Sequence, residues 1–412
     1  MPVELTVVRP RSTEEAATAM RVAAEHNLTV LVRGGGSRLS WGMPSSRCDV
    51  VVDMSQMSGV IEHAAGDLVA RVQAGTPMGE VAKVLAQAGQ EIALDVPGSA
   101  TVGGVIASGL AGPRRLRYGT PRDLLIGITI VRADGTVAKS GGKVVKNVAG
   151  YDLGKLFAGS SGTLGLITEA TFRLHPLPAA RAYVTAQYTA VPAATEAVAA
   201  AANSPLVSSA VEVSRAGPGG PIEVGVLLEG SVDGVRARSA RMAELVGAGR
   251  VAPDPPAWWP GAPRAGSGET LVRVSFWLSA LSRVLEAIDA AAGQAGVSPV
   301  IEGSAGAGVL YARLGGIAPE TPPGPDGVSG PYPAGSEVRA KAVAQFVAGL
   351  RGALAGERGG VVVVTAPGPV RKALAEHGGM SGMVPGLALM RAVKDQFDPG
   401  HRMAPGRFPE ML

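Results

Sequence analysis

The sequence predicts an α+β chain in two parts, and two observations carry that reading. Residues 1–178 alternate short apolar strands with helices and hold two glycine-dense loops, each following an apolar segment. From about residue 180 a β-α-β-β-α order occurs twice, with alanine-rich helices set between apolar strands. At 412 residues the chain exceeds one typical domain. With 46% apolar and 17% charged residues it belongs among globular proteins, not disordered ones. Aromatics supply only 4%, so the core must come from Val, Leu, Ile and Ala.

Residues 1–55 read as a β-α-β unit. An apolar segment at 5–8 precedes Ser12 and Glu15, which stand at capping-box spacing. Ala16, Ala17, Met20, Val22 and Ala23 then form a helical stripe that runs to Asn27. A short strand at 28–32 ends abruptly at Gly34, Gly35 and Gly36. The second unit, about 66–178, begins with a strand at 68–72, a helix at 77–88 and a strand at 92–94. Strands at 126–132 and 136–139 flank Ala133-Asp134-Gly135, a hairpin signal. A strand at 166–174 alternates Thr168, Ala170, Phe172 and Leu174 with Glu169, Thr171 and Arg173, before Pro176 and Pro178 close this half.

The second part, 179–395, reads as strand 183–188, helix 193–202, strands 206–213 and 223–228, and helix 232–246. The repeat runs through strand 271–278, helix 281–292, strands 298–301 and 309–314, helix 337–354 and strand 361–365. Two copies of a split β-α-β pattern predict a layered domain with ferredoxin-like halves. Loops at 251–269 and 318–336 are long and rich in Pro and Gly, which suits mobility or contact with a partner. Residues 396–412 form a tail.

Several chemistries are excluded. No G-x-G-x-x-G opens a helix, and Gly142-Lys143 continues with Val144, so neither a Rossmann fingerprint nor a Walker A loop is present. H-E-x-x-H, G-x-S-x-G and C-x-x-C are missing. Cys48 is the single cysteine, which rules out an internal disulfide and a cysteine-built cluster. The net charge of +4 comes from scattered arginines, and the one dense cluster, Arg114-Arg115-Leu116-Arg117, is too short for a nucleic-acid face. With no apolar signal core and no spanning run, the chain is expected in the cytoplasm, with peripheral docking on a membrane complex left open.

Four ordered motifs carry a resemblance. They are Arg33-Gly34-Gly35-Gly36-Ser37, Pro97-Gly98-Ser99-Ala100-Thr101-Val102-Gly103-Gly104, Gly150-Tyr151-Asp152, and Gly159-Ser160-Ser161-Gly162-Thr163-Leu164-Gly165. Together they resemble the FAD-binding domain of the vanillyl-alcohol oxidase and p-cresol methylhydroxylase group. Within it the chain is similar to the smaller flavin-binding subunits of bacterial glycolate oxidases. The resemblance implies a two-subdomain, p-cresol methylhydroxylase-type FAD-binding domain over 1–178, a ferredoxin-like α+β cap domain, and a tail that returns toward the flavin.

The resemblance also implies the cofactor site: Arg33, Gly34, Gly35, Gly36, Ser37, Gly98, Ser99, Thr101, Gly103, Gly104, Gly162, Gly165 and Ile167. In particular, the amides of residues 34–37 and of Gly103 and Gly104 are expected to grip the pyrophosphate. Relatives that bind FAD covalently carry a histidine where this chain has Gly36, so non-covalent FAD is expected. Oxidation of a 2-hydroxy acid needs a base, a cation and a hydride path. Tyr151, His401 and Arg402 are weak catalytic candidates, with Lys143, Lys146 and Arg122 as further neighbours of the ring. His26, His63, His175 and His377 read as structural, and no two histidines stand at metal-ligand spacing. The implied setting is a complex with a larger flavin subunit and an iron–sulfur subunit, oxidising glycolate or a similar small acid. A flavin-bearing electron-transfer or scaffolding subunit without its own substrate site is the alternative.

Overall fold

The computed structural model describes residues 6–142, 152–247, 249–318 and 332–407. Its first helix, Thr13–Glu25, starts where the cap predicts: Ser12 Oγ accepts from the Glu15 amide at 3.1 Å. The Glu15 carboxylate turns back to the Arg11 amide at 2.8 Å, one residue before the usual capping-box partner. Ala16, Ala17, Met20 and Ala23 form the buried stripe. That stripe covers a parallel sheet in which Val50–Asp53 lies between Thr6–Val8 and Val30–Arg33.

A five-stranded antiparallel sheet follows, in the order Val60–Ala64, Val69–Gln73, Leu166–Arg173, Leu125–Val131, Val137–Gly141. Thr168, Ala170 and Phe172 are buried as the alternation requires. The expected Asp-Gly hairpin is present, with Gly135 at φ +82 and the Arg132 amide bonded to Thr136 O at 2.9 Å. The strand expected at 92–94 is a correction: the ladder there is only Gln90–Glu91 on His175–Pro176. The Leu94 amide bonds Ile92 O at 2.7 Å, a tight turn that takes the segment out of the sheet while leaving it buried. Strands Val50–Asp53 and Val60–Ala64 had no counterpart in the sequence reading, nor did helices Val102–Ser108, Gly368–Leu374 and Leu387–Phe397.

The remaining strands make one eight-stranded antiparallel sheet. Its order is Arg250–Ala252, Ala180–Tyr188, Ile222–Gly230, Ala210–Arg215, Val300–Gly303, Val309–Leu314, Thr270–Phe276, Gly359–Thr365. Each half completes a β-α-β-β-α-β unit, and the halves join where Val213 pairs with Gly303. Arg250–Ala252, placed in a loop by the sequence reading, is the fourth strand of the first half. Helices Val191–Asn203, Leu281–Ala295 and Ser336–Ala353 bury Val198, Leu285 and Val347 against Val211, Val226, Val272 and Val274 on one face of this sheet. Side chains alternate along a strand, so Glu212, Glu229, Tyr311 and Arg313 point to the opposite face.

That polar face meets the first part of the chain. Arg114 is buried between Glu91 at 2.7 Å, Asp95 at 2.7 Å and Glu229 at 3.5 Å, and Arg181 reaches Glu229 at 2.9 Å. Three carboxylates hold the Arg114 guanidinium charged against the cost of its burial. The tail returns as well. The Val30 amide bonds Arg402 O and the Ala404 amide bonds Val30 O, both at 2.8 Å. Buried Lys394 fixes the turn by donating to Asp398 Oδ2 at 2.5 Å, Thr163 O at 2.7 Å and Met403 O at 3.1 Å.

Candidate functional site

The strand Val30–Arg33 delivers the chain into a loop of bare backbone. A Cβ on Gly34 would stand 2.1 Å from Thr101 Oγ1, and one on Gly35 would stand 2.8 Å from Ser99 O. The two glycine loops therefore touch through backbone where any side chain would separate them. Beside them opens a cleft lined by both loops. Its walls are residues 34–39, Trp41, Thr101, Gly103, Gly104, Ser161, Gly162, Gly165, Ile167 and Arg407, with apolar Val32, Met54, Val105 and Leu110 beneath.

The hydrogen-bond donors of this cleft are unevenly shared. Among the described residues, the backbone amides of residues 35–38 have no hydrogen-bond partner in the protein. Four consecutive free amides are a concave donor set for an anion. The Thr101 segment differs. There the Val102 amide donates to Thr76 O, Gly103 to Ala74 O at 2.7 Å, and Gly104 to Thr101 Oγ1 at 3.3 Å. The amides of Gly103 and Gly104, expected to grip a pyrophosphate, are thus bonded within the protein. Their contribution is room: a Cβ on Gly103 would meet Ala74 at 3.0 Å, and one on Gly104 would meet Thr101 Oγ1 at 3.0 Å.

Two arginines bring positive charge to the wall. Arg38 stacks over Trp41 at 4.5 Å and donates to Pro263 O at 2.9 Å, while its buried Nε has no partner. Arg407 donates to Arg38 O at 3.0 Å. Burial lowers the pKa of both guanidinium groups, so an anion beside them would relieve a desolvation cost. A wider groove shares residues 34–39, Trp41 and Arg407 with the cleft and continues past Glu269, Tyr332 and Arg371.

Of the residues expected at a cofactor, Gly34, Gly35, Gly36, Ser37, Thr101, Gly103, Gly104, Gly162, Gly165 and Ile167 line the cleft. Arg33, Gly98 and Ser99 do not. Arg33 pairs with Asp53 at 2.8 Å, Gly98 lies against Gly79, and Ser99 supports the loop through its carbonyl. Asp53 keeps a lowered pKa because bonds from Arg33 and Ser55 outweigh burial. His401 pairs with Asp395 at 3.0 Å, and Arg402 caps the first helix through Ala23 O at 3.1 Å. Neither lines the cleft, whereas Arg407 from the same tail does. Arg122 is exposed, and Lys143, Lys146 and Tyr151 lie outside the described residues, as does most of the 318–336 loop.

Three of the other histidines are held by the fold, and His377 is exposed at a helix end. His26 caps a helix end on Val22 O, His63 bonds Gln90, and His175 packs edge-on to Tyr118 at 4.8 Å. Cys48 is half-buried with its thiol pKa raised by burial, and it lines the wider groove. The sequence reading missed Arg38, Trp41 and Arg407. Arg38 could have been found as the cation that directly follows the glycine run.

Residues 5–141 match a family described as FAD binding domain. The chain carries an FAD binding domain. The chain is 36% identical over 154 residues to glycolate oxidase subunit GlcE of Escherichia coli, covering 37% of this chain and 43% of that one. Glycolate oxidase subunit GlcD of Bacillus subtilis is 35% identical over 195 residues, covering 47% and 41%. D-lactate dehydrogenase of Archaeoglobus fulgidus is 38% identical over 175 residues, covering 41% and 38%. The matched stretch thus spans less than half of each of these relatives. A solved structure of p-cresol methylhydroxylase with substrate bound superposes with a TM-score of 0.71 at 16% identity, covering 97% of this chain and 88% of that one. The fold is of the p-cresol methylhydroxylase type.

The FAD binding domain fits its cofactor. Amides without a protein partner at residues 35–38, bare glycine backbone in the wall, and the charges of Arg38 and Arg407 suit a flat, twice-phosphorylated group. No helix of the described residues is long and apolar enough to cross a membrane.

Proposed function

We propose that the chain binds FAD non-covalently in this cleft and oxidises a small 2-hydroxy acid to the 2-oxo acid. The observation that carries the reading is the run of free amides at residues 35–38, set in a glycine-walled cleft inside an FAD binding domain. In this reading those amides hold the pyrophosphate and Gly103 and Gly104 let the cofactor approach. Arg38 and Arg407 add charge that excluded water would otherwise supply. Bound flavin supplies a two-electron acceptor for the carbinol hydrogen. Non-covalent attachment is supported by Gly36, which offers no side chain, and by Cys48, which lines the wider groove and not the cleft.

Likeness to named glycolate oxidase subunits and a D-lactate dehydrogenase supports a 2-hydroxy acid as substrate. Likeness to GlcD and GlcE, named as glycolate oxidase subunits, also supports assembly into a complex; in this reading the partners are a larger flavin subunit and an iron–sulfur subunit, and the complex docks peripherally at the cytoplasmic face of the membrane. Anaerobic titration of the flavin-loaded chain, alone and co-purified with such partners, tests both parts. Bleaching by glycolate or D-lactate supports the substrate class. Flavin that neither acid reduces in any assembly refutes it and leaves an electron-transfer or scaffolding role.

A further inference from the structure

The wider groove beside the cofactor cleft has a cavity volume of about 780 Å³, inside the roughly 300–1,000 Å³ range of small-molecule sites. The glycine loop forms one side of it, and the end of the strand Gly359–Thr365 forms another. Hydrogen bonds fix their junction: the Gly42 amide donates to Val364 O at 2.7 Å, and Thr365 Oγ1 donates to Ser40 O at 2.8 Å. Just past that junction the chain turns at Pro367 into the helix Gly368–Leu374, which sets Arg371 in the groove wall.

The charges of this wall are unevenly answered. Arg33 pairs with Asp53 at 2.8 Å, and Glu269 accepts from Arg313 at 3.2 Å and from the Gly266 amide at 2.6 Å. Arg38, Arg371 and Arg407 also line the groove, and among the described residues none of them has a carboxylate partner. Arg371 donates to Ala366 O at 2.6 Å, and the rest of its guanidinium has no hydrogen-bond partner among the described residues. A partly buried cation without a counter-ion carries an uncompensated desolvation cost, which an anion in the groove would offset.

Position separates the three arginines. Arg38 and Arg407 line the cofactor cleft as well, whereas Arg371 lines the groove alone. Two guanidinium groups match the two negative charges of a pyrophosphate, so one is left for a single further charge. Tyr332 stands close enough to act on the Arg371 charge. Its hydroxyl accepts from the Gly368 amide at 2.9 Å, which leaves the hydroxyl hydrogen to be given elsewhere.

We propose that Arg371 binds the substrate carboxylate, that Tyr332 donates a second hydrogen bond to it, and that the groove thereby selects 2-hydroxy acids with one carboxylate over those with two. The inference rests on the flavin-dependent oxidation proposed above. A monocarboxylate brings the one charge that Arg371 lacks. A second carboxylate would lose its water in a groove whose other unpaired cations face the cofactor. Residues 34–39 wall both the groove and the cleft, so an acid held by Arg371 shares its loop with the flavin site.

The test uses the full-length, flavin-loaded protein, with oxamate as an unreactive probe that carries one carboxylate and no carbinol hydrogen. Oxamate should perturb the flavin absorption spectrum of the parent in a saturable titration. Arg371→Met should weaken that binding by about tenfold or more with flavin affinity unchanged, and Arg371→Lys should recover part of it. Tyr332→Phe should weaken it by about two- to tenfold. In stopped-flow reduction, D-lactate should exceed D-2-hydroxyglutarate by about tenfold or more in second-order rate constant. A parent that does not bind oxamate, or an Arg371→Met protein that binds it as the parent does, overturns the proposal. An Arg371→Met protein that loses its flavin assigns this cation to the pyrophosphate and overturns it too, and equal rates for the two acids overturn the selectivity. If no 2-hydroxy acid reduces the parent, the proposed oxidation fails, and the dependence of oxamate binding on Arg371 then decides the groove on its own.

Discussion

Gly34→Ala tests whether the cleft depends on contact between the two glycine loops. The added Cβ would stand 2.1 Å from Thr101 Oγ1, 3.2 Å from its Cβ and 3.4 Å from its Cγ2, so rotation of Thr101 alone cannot relieve it. Thr101 also caps the helix Val102–Ser108 through the Gly104 amide. Overpacking of this kind costs about 1–3 kcal/mol, and loss of a threonine cap about 1 kcal/mol. The expected loss is therefore roughly 2–4 kcal/mol, and separation of the loops should weaken flavin affinity at least tenfold. Urea unfolding of the flavin-free protein and flavin retention by ultrafiltration measure the two effects. The control is a double-mutant cycle with Thr101→Ala, which removes the clashing hydroxyl. The double variant should lose less than the sum of the single ones. A Gly34→Ala protein that unfolds within about 0.5 kcal/mol of the parent and stays yellow would refute the close-contact argument.

Acid precipitation should release the flavin into the supernatant, because the glycine loop offers no linking side chain; fluorescence on the denatured polypeptide band would contradict this. Arg114→Met should destabilise the protein by about 3–5 kcal/mol, since it leaves the buried Glu229 with Arg181 at 2.9 Å as its one ion-pair partner and the Tyr118 hydroxyl at 3.3 Å. Chemical unfolding checks that, and a loss below about 1 kcal/mol would show that Arg181 and Tyr118 suffice. Glu212 sets a pH dependence of opposite sign to an ion-paired carboxylate. Its folded pKa of about 8 lies above the ordinary 4.5, so between those values the folded state keeps a proton that the unfolded chain has lost. Stability should therefore fall as pH rises from 4.5 to 8, and Glu212→Gln should flatten that slope by a few kcal/mol across the window. Equal slopes in parent and variant would mean that the carboxyl is not held protonated.

The elements legible in the sequence are those whose local signals agree with their tertiary setting. The helix Ser336–Ala353 and the strand Val309–Leu314 were read within a residue because periodicity and burial coincide there. The split β-α-β repeats were read from element order alone, and the pairing of the halves through Val213 and Gly303 completes them. Val50–Asp53 was missed because a strand buried on both faces shows no alternation. The helix Leu387–Phe397 was missed because its burial is slight: Lys394, a charged residue, is its one buried member. At the site, glycine runs identified the loops but not their division of labour, since nothing in the sequence tells a free amide from one bonded to Ala74 O.

The two faces of the eight-stranded sheet show how far that limit extends. On the helix side, Val211, Val213, Val224 and Val226 specify burial by composition, and the sequence announces a core. The alternate positions on the same strands carry Glu212, Ser214, Glu223 and Gly225, which by themselves read as a solvated face. The Arg114 cluster docks the FAD binding domain there and removes the water, turning an ordinary alternating strand into the wall of a dry cavity. Glu212 thus owes its raised pKa to burial, to which residues about a hundred positions away, Ala111 among them, contribute, while the Arg115 charge acts in the opposite direction. Strand alternation gives the side on which such a carboxyl stands; only the docked partner decides whether it keeps its proton.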